Sequence, residues 1–442
     1  MSAHLPAARP TTDRTSPRRV AAATFIGTAI EWYDFYIYGS AAAIVFGPQF
    51  FTNLPPTAAL IASFGTFAAG FVARPLGGIL FGHFGDRLGR KRSLVISLLI
   101  MGLGTFCIAL LPTYAQIGVA APILLIVLRL VQGLGVGGEW GGAVLMASEH
   151  APAGKRALFA SFPQMGIPAG IIGSNLVFLL TTLVLGSERF LAWGWRIPFL
   201  FSSLLVIVAL FIRMRLEESP EFEATKVRGN VRRLPILDVV TRHPLTILLG
   251  AGVSLAPSVI GYLFSVYLLS HGTQIGIPQR TMLLLITAAA AVFLLAVVVA
   301  GRFADRVSPY RIFIVSSGAA AVAIAPAFTL FDTATVAGAL AALVALTVCL
   351  GPMVGVQGII VTTIFPASMR YSGASLAYQL GSVVGGGLTP AAATAIYAAS
   401  GSTTAIAAYV GAMALVSLVC VALLPGVARR TTDAVREARQ AG

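Results

Sequence analysis

The sequence predicts an all-α membrane protein with twelve transmembrane helices in two pseudo-symmetric six-helix bundles. Three observations predict it. The chain is 57% hydrophobic and 10% charged, whereas about a quarter of the residues of a soluble domain carry charge. It contains twelve apolar runs, each long enough to cross a hydrocarbon core of about 30 Å, which takes roughly 20 helical residues. A charged signature also occurs twice, half a chain length apart, as GHFGDRLGRKR at 82–92 and GRFADRVSPYR at 301–311. Both copies sit between long apolar runs, as they do when two homologous membrane halves are joined.

The runs are 20–46, 57–81, 93–112, 119–147, 157–184 and 196–214, then 245–270, 281–300, 312–331, 336–364, 372–399 and 404–425. The first follows a polar stretch with Arg9, Arg14, Arg18 and Arg19, but it is longer than a signal-peptide core and carries acids, so it reads as a retained helix. Residues 51–56, 112–118 and 401–403 make short loops on one side. The fourth run has Gly133, Gly137 and Gly141 at a spacing of four, the fifth Gly166, Gly170 and Gly173, and the eleventh Gly381, Gly385, Gly386 and Gly387. Such stripes let helices approach closely, and smooth contacts also let them rock.

Between the sixth and seventh runs lies a polar, mixed-charge segment with Ser219-Pro220, which reads as a tether. The expected organisation is a tail 1–19, a first bundle 20–214, a linker 215–244, a second bundle 245–425 and a tail 426–442. If the N-terminus is cytoplasmic, Arg189, Arg196 and Arg280 fall outside and Arg74 and Arg129 within spans. All the other lysines and arginines then face the cytoplasm, which fixes both termini there under the positive-inside rule. The net charge of +14 is thus a topology signal with attraction to anionic lipid, and it calls for no nucleic acid. Cys107, Cys349 and Cys420 lie in apolar runs without paired spacing and suggest neither disulfides nor a metal site.

A charge within a span costs a few kcal/mol, so each one requires a reason. Glu31 and Asp34, in GTAIEWYDFYIYG, share one helix face that Tyr38 continues. Two acids so close in low dielectric cannot both ionise comfortably, so one is suited to taking up and releasing a proton. The alternative is a pair permanently satisfied by Arg or Tyr from neighbouring helices. The fourth run, RLVQGLGVGGEWGGA, carries Arg129 and Glu139. Arg129 offers a planar fork for a carboxylate, either on a substrate or on Glu31 or Asp34. Arg74 is a second anion contact, or else a side chain reaching for headgroups. The second half holds no charge within its spans and offers neutral polar groups.

Candidate proton sites are therefore Asp34, Glu31 and Glu139. Candidate pocket residues are Arg129, Arg74, Tyr38, Gln132 and Gln164 from the first half and Tyr262, Gln357, Tyr378 and Gln379 from the second. In the loop signature Gly82, Gly85 and Gly89 permit a tight turn, while Asp86, Arg87 and Arg90 can pair with the other bundle. Surface pairs of that kind contribute about 0–1 kcal/mol each, weak enough for a gate to open thermally.

These residues resemble the major facilitator superfamily. GHFGDRLGRKR is similar to its loop 2–3 motif and GRFADR to the loop 8–9 echo, although Ser308 and Pro309 depart from the usual Gly and base. Arg129, Gln132, Gly133 and Gly135 match its fourth-span motif. Within it the chain resembles the metabolite:proton symporters, through GTAIEWYDFYIYG, ARPLGG, GLGVGGEWGGA, WGWRIPF, RLEESPEF and FPASMRYSGASLAYQLG. The resemblance implies two six-helix bundles around a midplane cavity, no cofactor, and import of an organic acid or zwitterion with protons. It also implies functional roles for Arg74, Asp86 and Arg196, with Gly301, Asp305 and Arg306 in the second gate.

The expected partners are a small organic anion or zwitterion, H+ and the lipid bilayer of a bacterial-type inner membrane, with the protein acting as a monomer. One alternative is a proton-driven exporter on the same fold, of which SFPQMGIPAGIIGSN at 161–175 is only a partial signature. Another is a transporter-like nutrient sensor, for which the tails leave little room. His4, His83, His150, His243 and His271 are scattered, with no nucleophile–base pair or metal spacing, so an enzyme is not expected.

Overall fold

The computed structural model describes residues 17–88, 90–137, 139–214, 239–241, 243–366 and 370–440, with side chains for all of these except 82–88, 90–94, 212–213 and 428–440. In the first half, α1 is Pro17–Ile44, α2 Pro56–Leu88 and α3 Arg90–Leu110. Helix α4 comes in two pieces, Ala120–Val136 and Glu139–Glu149. Helix α5, Arg156–Arg189, ends in a wide turn, Phe190–Gly194, before α6, Arg196–Met214.

In the second half, α7 comprises Pro244–Tyr262, a wide turn Leu263–Tyr267 and Leu268–Gln274. Then come α8, Gln279–Ala304, α9, Pro309–Phe331, and α10, Val336–Thr363. Helix α11 is Arg370–Ser382, the wide turn Val383–Gly387 and Thr389–Ser400, and α12 is Thr403–Gln440. The twelve apolar runs thus become twelve helices, because a helix is the one open-chain structure that satisfies its own backbone in lipid.

Eight of these helices are long and apolar enough on their own to cross a membrane, and α3 and α6 are shorter apolar helices. The two remaining are exceptions for stated reasons: α1 carries Glu31, Asp34 and two arginines, and α11 is interrupted at its glycines. Helix ends follow local chemistry. The Thr335 hydroxyl accepts the Gly338 N–H at 3.0 Å and starts α10. Gly401, at φ 64°, closes α11 with its N–H on the Tyr397 carbonyl. Helix α12 continues past Pro425 into the stretch that the sequence reads as a tail.

The two halves repeat the same packing. In the first, α1 lies on α5 and α6, α4 on α2 and α3, and α3 on α6; in the second, α7 lies on α11 and α12, α10 on α8 and α9, and α9 on α12. The bundles meet chiefly along two helix pairs, α5 with α8 and α2 with α11. Glycine sets the approach of α2 to α4: a Cβ on Gly77 would stand 2.1 Å from the Leu134 carbonyl oxygen, and one on Gly133 2.1 Å from that of Gly70. No side chain fits there, which fixes how deeply the arginines of these two helices sit.

Candidate functional site

Where the bundles meet, α1, α2, α3, α4 and α11 enclose a cavity of about 40 Å³, room for a few waters. Every charge that the sequence places inside a span of the first half converges on it: Glu31 and Asp34, Arg74, and Arg129 and Glu139. From the second half Tyr378 and Gln379 close it. Asp34, Arg74 and Arg129 are 2–3% exposed and Glu139 is 4%, so these are buried charges. Such groups are retained in a membrane when they bind one another or a ligand.

Asp34 is held from two neighbouring helices. Its Oδ1 accepts from the Thr105 hydroxyl of α3 at 2.5 Å and from the Ser202 hydroxyl of α6 at 2.7 Å. Thr105 Oγ1 in turn accepts from Gln132 Nε2 at 2.6 Å, and Gln132 Oε1 accepts from Arg129 Nη1 at 3.2 Å. A continuous chain of side-chain hydrogen bonds therefore runs from Arg129 to Asp34. Among the described residues the two form no direct ion pair.

The Arg129 guanidinium lies 4.1 Å from the centre of the Tyr38 ring and 4.4 Å from that of Phe35. Arg74 lies 4.2 Å from the same Phe35 ring and 4.5 Å from Phe71. Aromatic faces attract cations without neutralising them. Arg129 Nε and Nη2 and Arg74 Nε have no hydrogen-bond partner among the described residues. Gly70 clears the space: a Cβ there would meet Arg129 Nε at 2.6 Å. The cavity therefore holds two guanidiniums with donors to spare, suited to an anionic group. Glu139 is anchored on the opposite arm, accepting from Ser97 Oγ at 2.8 Å.

The walls of the cavity are contacts between bundles. Trp140 and Tyr378 stack with centroids 3.9 Å apart. Gln379 Nε2 donates to the Gly137 carbonyl at 3.0 Å, and Gln164 Nε2 to the Val354 carbonyl at 3.1 Å. Gln164 Oε1 also accepts the Trp140 indole N–H at 3.0 Å. On the other side of the arginines, Tyr262 of α7 packs into a ring cluster with Trp32, Phe35, Tyr36, Phe67 and Phe71. A Cβ on Gly39 would meet Val266 at 2.9 Å and one on Gly387 would meet Phe71 at 2.8 Å. The bundles thus touch on both sides of the cavity.

Of the residues that the sequence marks for the pocket, Arg129, Arg74, Gln132, Tyr378 and Gln379 line the cavity. The other four do not line it. Tyr38 supports Arg129 and donates its hydroxyl to Thr66 at 2.7 Å, Gln164 ties the bundles together, Tyr262 belongs to the aromatic cluster, and Gln357 is buried within α10. Four residues of the site escape the sequence reading: Thr105, Ser202, Phe35 and Trp140. Thr105 and Ser202 look like ordinary small residues of apolar runs. The aromatics stand beside the singled-out acids, Phe35 next to Asp34 and Trp140 next to Glu139, a signal that was available.

At the second loop signature, Asp305 reaches across the bundles. Its carboxylate accepts the Ala157 N–H at 2.8 Å and the Leu158 N–H at 3.1 Å, in the first turn of α5. A carboxylate at a helix N-terminus meets unpaired donors and the positive end of the dipole. Gly301, one turn earlier, leaves room for Ser161, which a Cβ would meet at 2.4 Å. Arg306 is exposed. Arg196 lies within the first bundle, donating to the Leu111 carbonyl at 3.0 Å beside the Trp195 ring. Gly89 and the side chains of Asp86, Arg87 and Arg90, together with the Gly82 environment, lie outside what is described.

Two bundles with repeated packing, closed around a charged cavity between them, define a membrane carrier of small solutes. Residues 20–233 match the model of the sugar (and other) transporter family, and residues 262–442 match that of the major facilitator superfamily. The chain is 41% identical to the inner membrane metabolite transport protein YhjE of Escherichia coli K12, over 92% of this chain and 94% of that one. It is 39% identical to the shikimate transporter of the same organism, again over 92% and 94%, and 34% identical to the proline/betaine transporter of Salmonella typhimurium LT2, over 91% and 82%. Among solved structures it is similar to a D-xylose–proton symporter, with a TM-score of 0.69 at 17% identity over 93% of this chain and 97% of that one. The chain belongs to the major facilitator superfamily and is a multi-pass membrane transporter of metabolites.

Proposed function

We propose that this transporter is a proton-coupled symporter that imports a small organic acid or zwitterion by alternating access. It works as a monomer in a bacterial-type inner membrane with both termini in the cytoplasm. The carrying observation is the cavity itself, which joins a carboxyl-binding group, Arg129 with two donors unused, to a buried carboxyl, Asp34. A proton on Asp34 removes one of the negative charges that line the cavity with Arg129, and so makes an anion on Arg129 more favourable. Each event favours the other, as symport requires. The names of the relatives support the substrate class, and the cavity supports it independently through the unpartnered donors Arg129 Nε, Arg129 Nη2 and Arg74 Nε.

The test is uptake into proteoliposomes of labelled shikimate, proline, glycine betaine and a panel of small organic acids. An acid-outside gradient, with the potential clamped at zero, is expected to drive accumulation of at least one anion. Accumulation driven only by sodium would refute proton coupling. Extrusion driven by the pH gradient in the opposite sense would establish an exporter instead.

A further inference from the structure

We propose that Thr105 is the positioning residue through which the protonation state of Asp34 reaches Arg129. The inference rests on the reading of Asp34 as the proton site, and it names the path by which that site controls the anion site.

Thr105 has one hydroxyl hydrogen and two acceptors for it, Asp34 Oδ1 at 2.5 Å and the Met101 carbonyl at 3.0 Å on its own helix. When Asp34 is ionised the charge-assisted bond wins, because hydrogen bonds to a charged acceptor are roughly twice as strong as neutral ones. With that hydrogen committed, the hydroxyl lone pairs face Gln132, whose Nε2 donates to them at 2.6 Å. The amide is then fixed with Oε1 toward Arg129 Nη1, so Arg129 is held by the relay. When Asp34 takes up a proton, the preference for Oδ1 is lost and the hydroxyl turns to Met101, the ordinary back-bond of a helical threonine. The oxygen still faces Gln132 with a lone pair but loses the polarisation that donating to a carboxylate gave it, so the Gln132 bond weakens, the hold of Gln132 Oε1 on Arg129 loosens, and Nη1 joins Nε and Nη2 as a donor for an incoming anion.

The neighbourhood is built for this relay. A Cβ on Gly104 would meet Gln132 Cγ at 2.5 Å, and one on Gly102 would meet Val206 Cγ1 at 2.5 Å. The two glycines of the run GLGT therefore bring α3 against α4 and α6, leaving Thr105 between Asp34 and Gln132. Ser202 holds Asp34 Oδ1 from the far side and keeps the carboxyl from following the hydroxyl. Other charged and titratable groups facing Asp34 are Arg129 and Glu139 from α4, Arg74 from α2, Tyr378 from α11, and Glu31 and Tyr33 from its own helix. α3 and α6 present the Thr105 and Ser202 hydroxyls. Direct Coulomb attraction between Asp34 and Arg129 is the rival route, and it does not need Thr105.

Infrared difference spectra of the full-length protein in liposomes, recorded as the pH is stepped, separate the two without knowledge of the substrate. In the wild type, a protonated-carboxyl band absent from Asp34→Asn should grow on acidification, and a guanidinium band absent from Arg129→Lys should shift in step with it. In Thr105→Val the carboxyl band should persist while the guanidinium band stays still. Thr105→Ser should restore the linked shift. If Thr105→Val does not fold, Thr105→Ala against Thr105→Ser makes the same comparison. A guanidinium shift of wild-type size in the variant without the hydroxyl overturns the relay and leaves Coulomb coupling. If no carboxyl band assignable to Asp34 titrates in the wild type, the proton-site reading fails and the relay fails with it.

Discussion

Trp140 of α4 and Tyr378 of α11 lie ring on ring, with centroids 3.9 Å apart and planes 4° from parallel, one from each bundle. Both line the cavity, on the side of Arg129 that leads toward the α4–α5 and α8–α9 turns. An aromatic pair of this kind contributes about 0.5–1.5 kcal/mol beyond the area it buries. The stack must part whenever the bundles separate on that side, so it acts as a latch of modest strength.

Replacing Tyr378 with Leu should therefore favour opening toward the α8–α9 face without removing a charge from the site. In a background lacking Cys107, Cys349 and Cys420, a cysteine placed at the cavity residue Ala143 should react faster with a polar maleimide supplied from that face. An unchanged rate would show that the stack does not limit opening.

Asp34→Asn should abolish proton-driven accumulation while substrate counterflow between loaded pools survives, since exchange needs no net proton movement. Glu31→Gln should do so less strongly. The asymmetry follows from burial: Asp34 is 3% exposed and bonded from α3 and α6, whereas Glu31 is partly exposed on the cavity wall. Wild-type accumulation in both variants would remove the span-one acids from the coupling mechanism.

Arg129→Lys should not restore uptake. A lysine ammonium keeps the charge and some attraction to Tyr38 and Phe35, but it loses the fork and cannot hold Gln132 and a carboxylate in fixed directions. Hydrogen bonds to a charged group contribute about 1.5–3 kcal/mol, so uptake at low substrate should fall at least roughly tenfold. Uptake at unchanged apparent affinity would reduce Arg129 to a counter-charge.

Much of this arrangement was legible in the sequence because lipid makes exceptions conspicuous. Arg129, Arg74, Asp34, Glu31 and Glu139 stand out in apolar runs, and all five meet at one cavity. The loop echo at Asp305 was legible as a repeat, although what its carboxylate binds, two backbone N–H groups, leaves no trace in residue identity. Hydroxyls were the blind spot. Thr105 and Ser202 cost little in a helix and are common there, so only their distance to Asp34 shows their role. Which neutral polar groups face the cavity is hidden from the sequence for a related reason. Tyr262, Gln164 and Gln357 are as polar as Tyr378 and Gln379, and packing alone decides which of them faces the cavity. His271 gave no signal in the sequence either. It is 1% exposed, stacked on Tyr267, with the exposed Asp332 at 3.7 Å, a pair assembled from the end of α7 and the α9–α10 turn.

Asp305 offers the most direct test of the gate. It caps α5 from the other bundle through the Ala157 and Leu158 N–H groups, which in a free helix would turn to water. Removing a capping oxygen from a helix N-terminus costs about 0.5–2 kcal/mol, and 1–2 kcal/mol changes a two-state population by a factor of about 5–30. Asp305→Ala should shift the carrier by that order toward opening on the α8–α9 face, read by the same cysteine at Ala143. Asp305→Asn keeps an acceptor oxygen and loses the attraction of a full charge to the helix end, so its shift should be smaller. Binding measured in detergent should change little in either variant, because the capped turn lies away from Arg129 and Arg74. Loss of binding in a folded Asp305→Ala protein would place Asp305 in the pocket's support and contradict a role confined to gating.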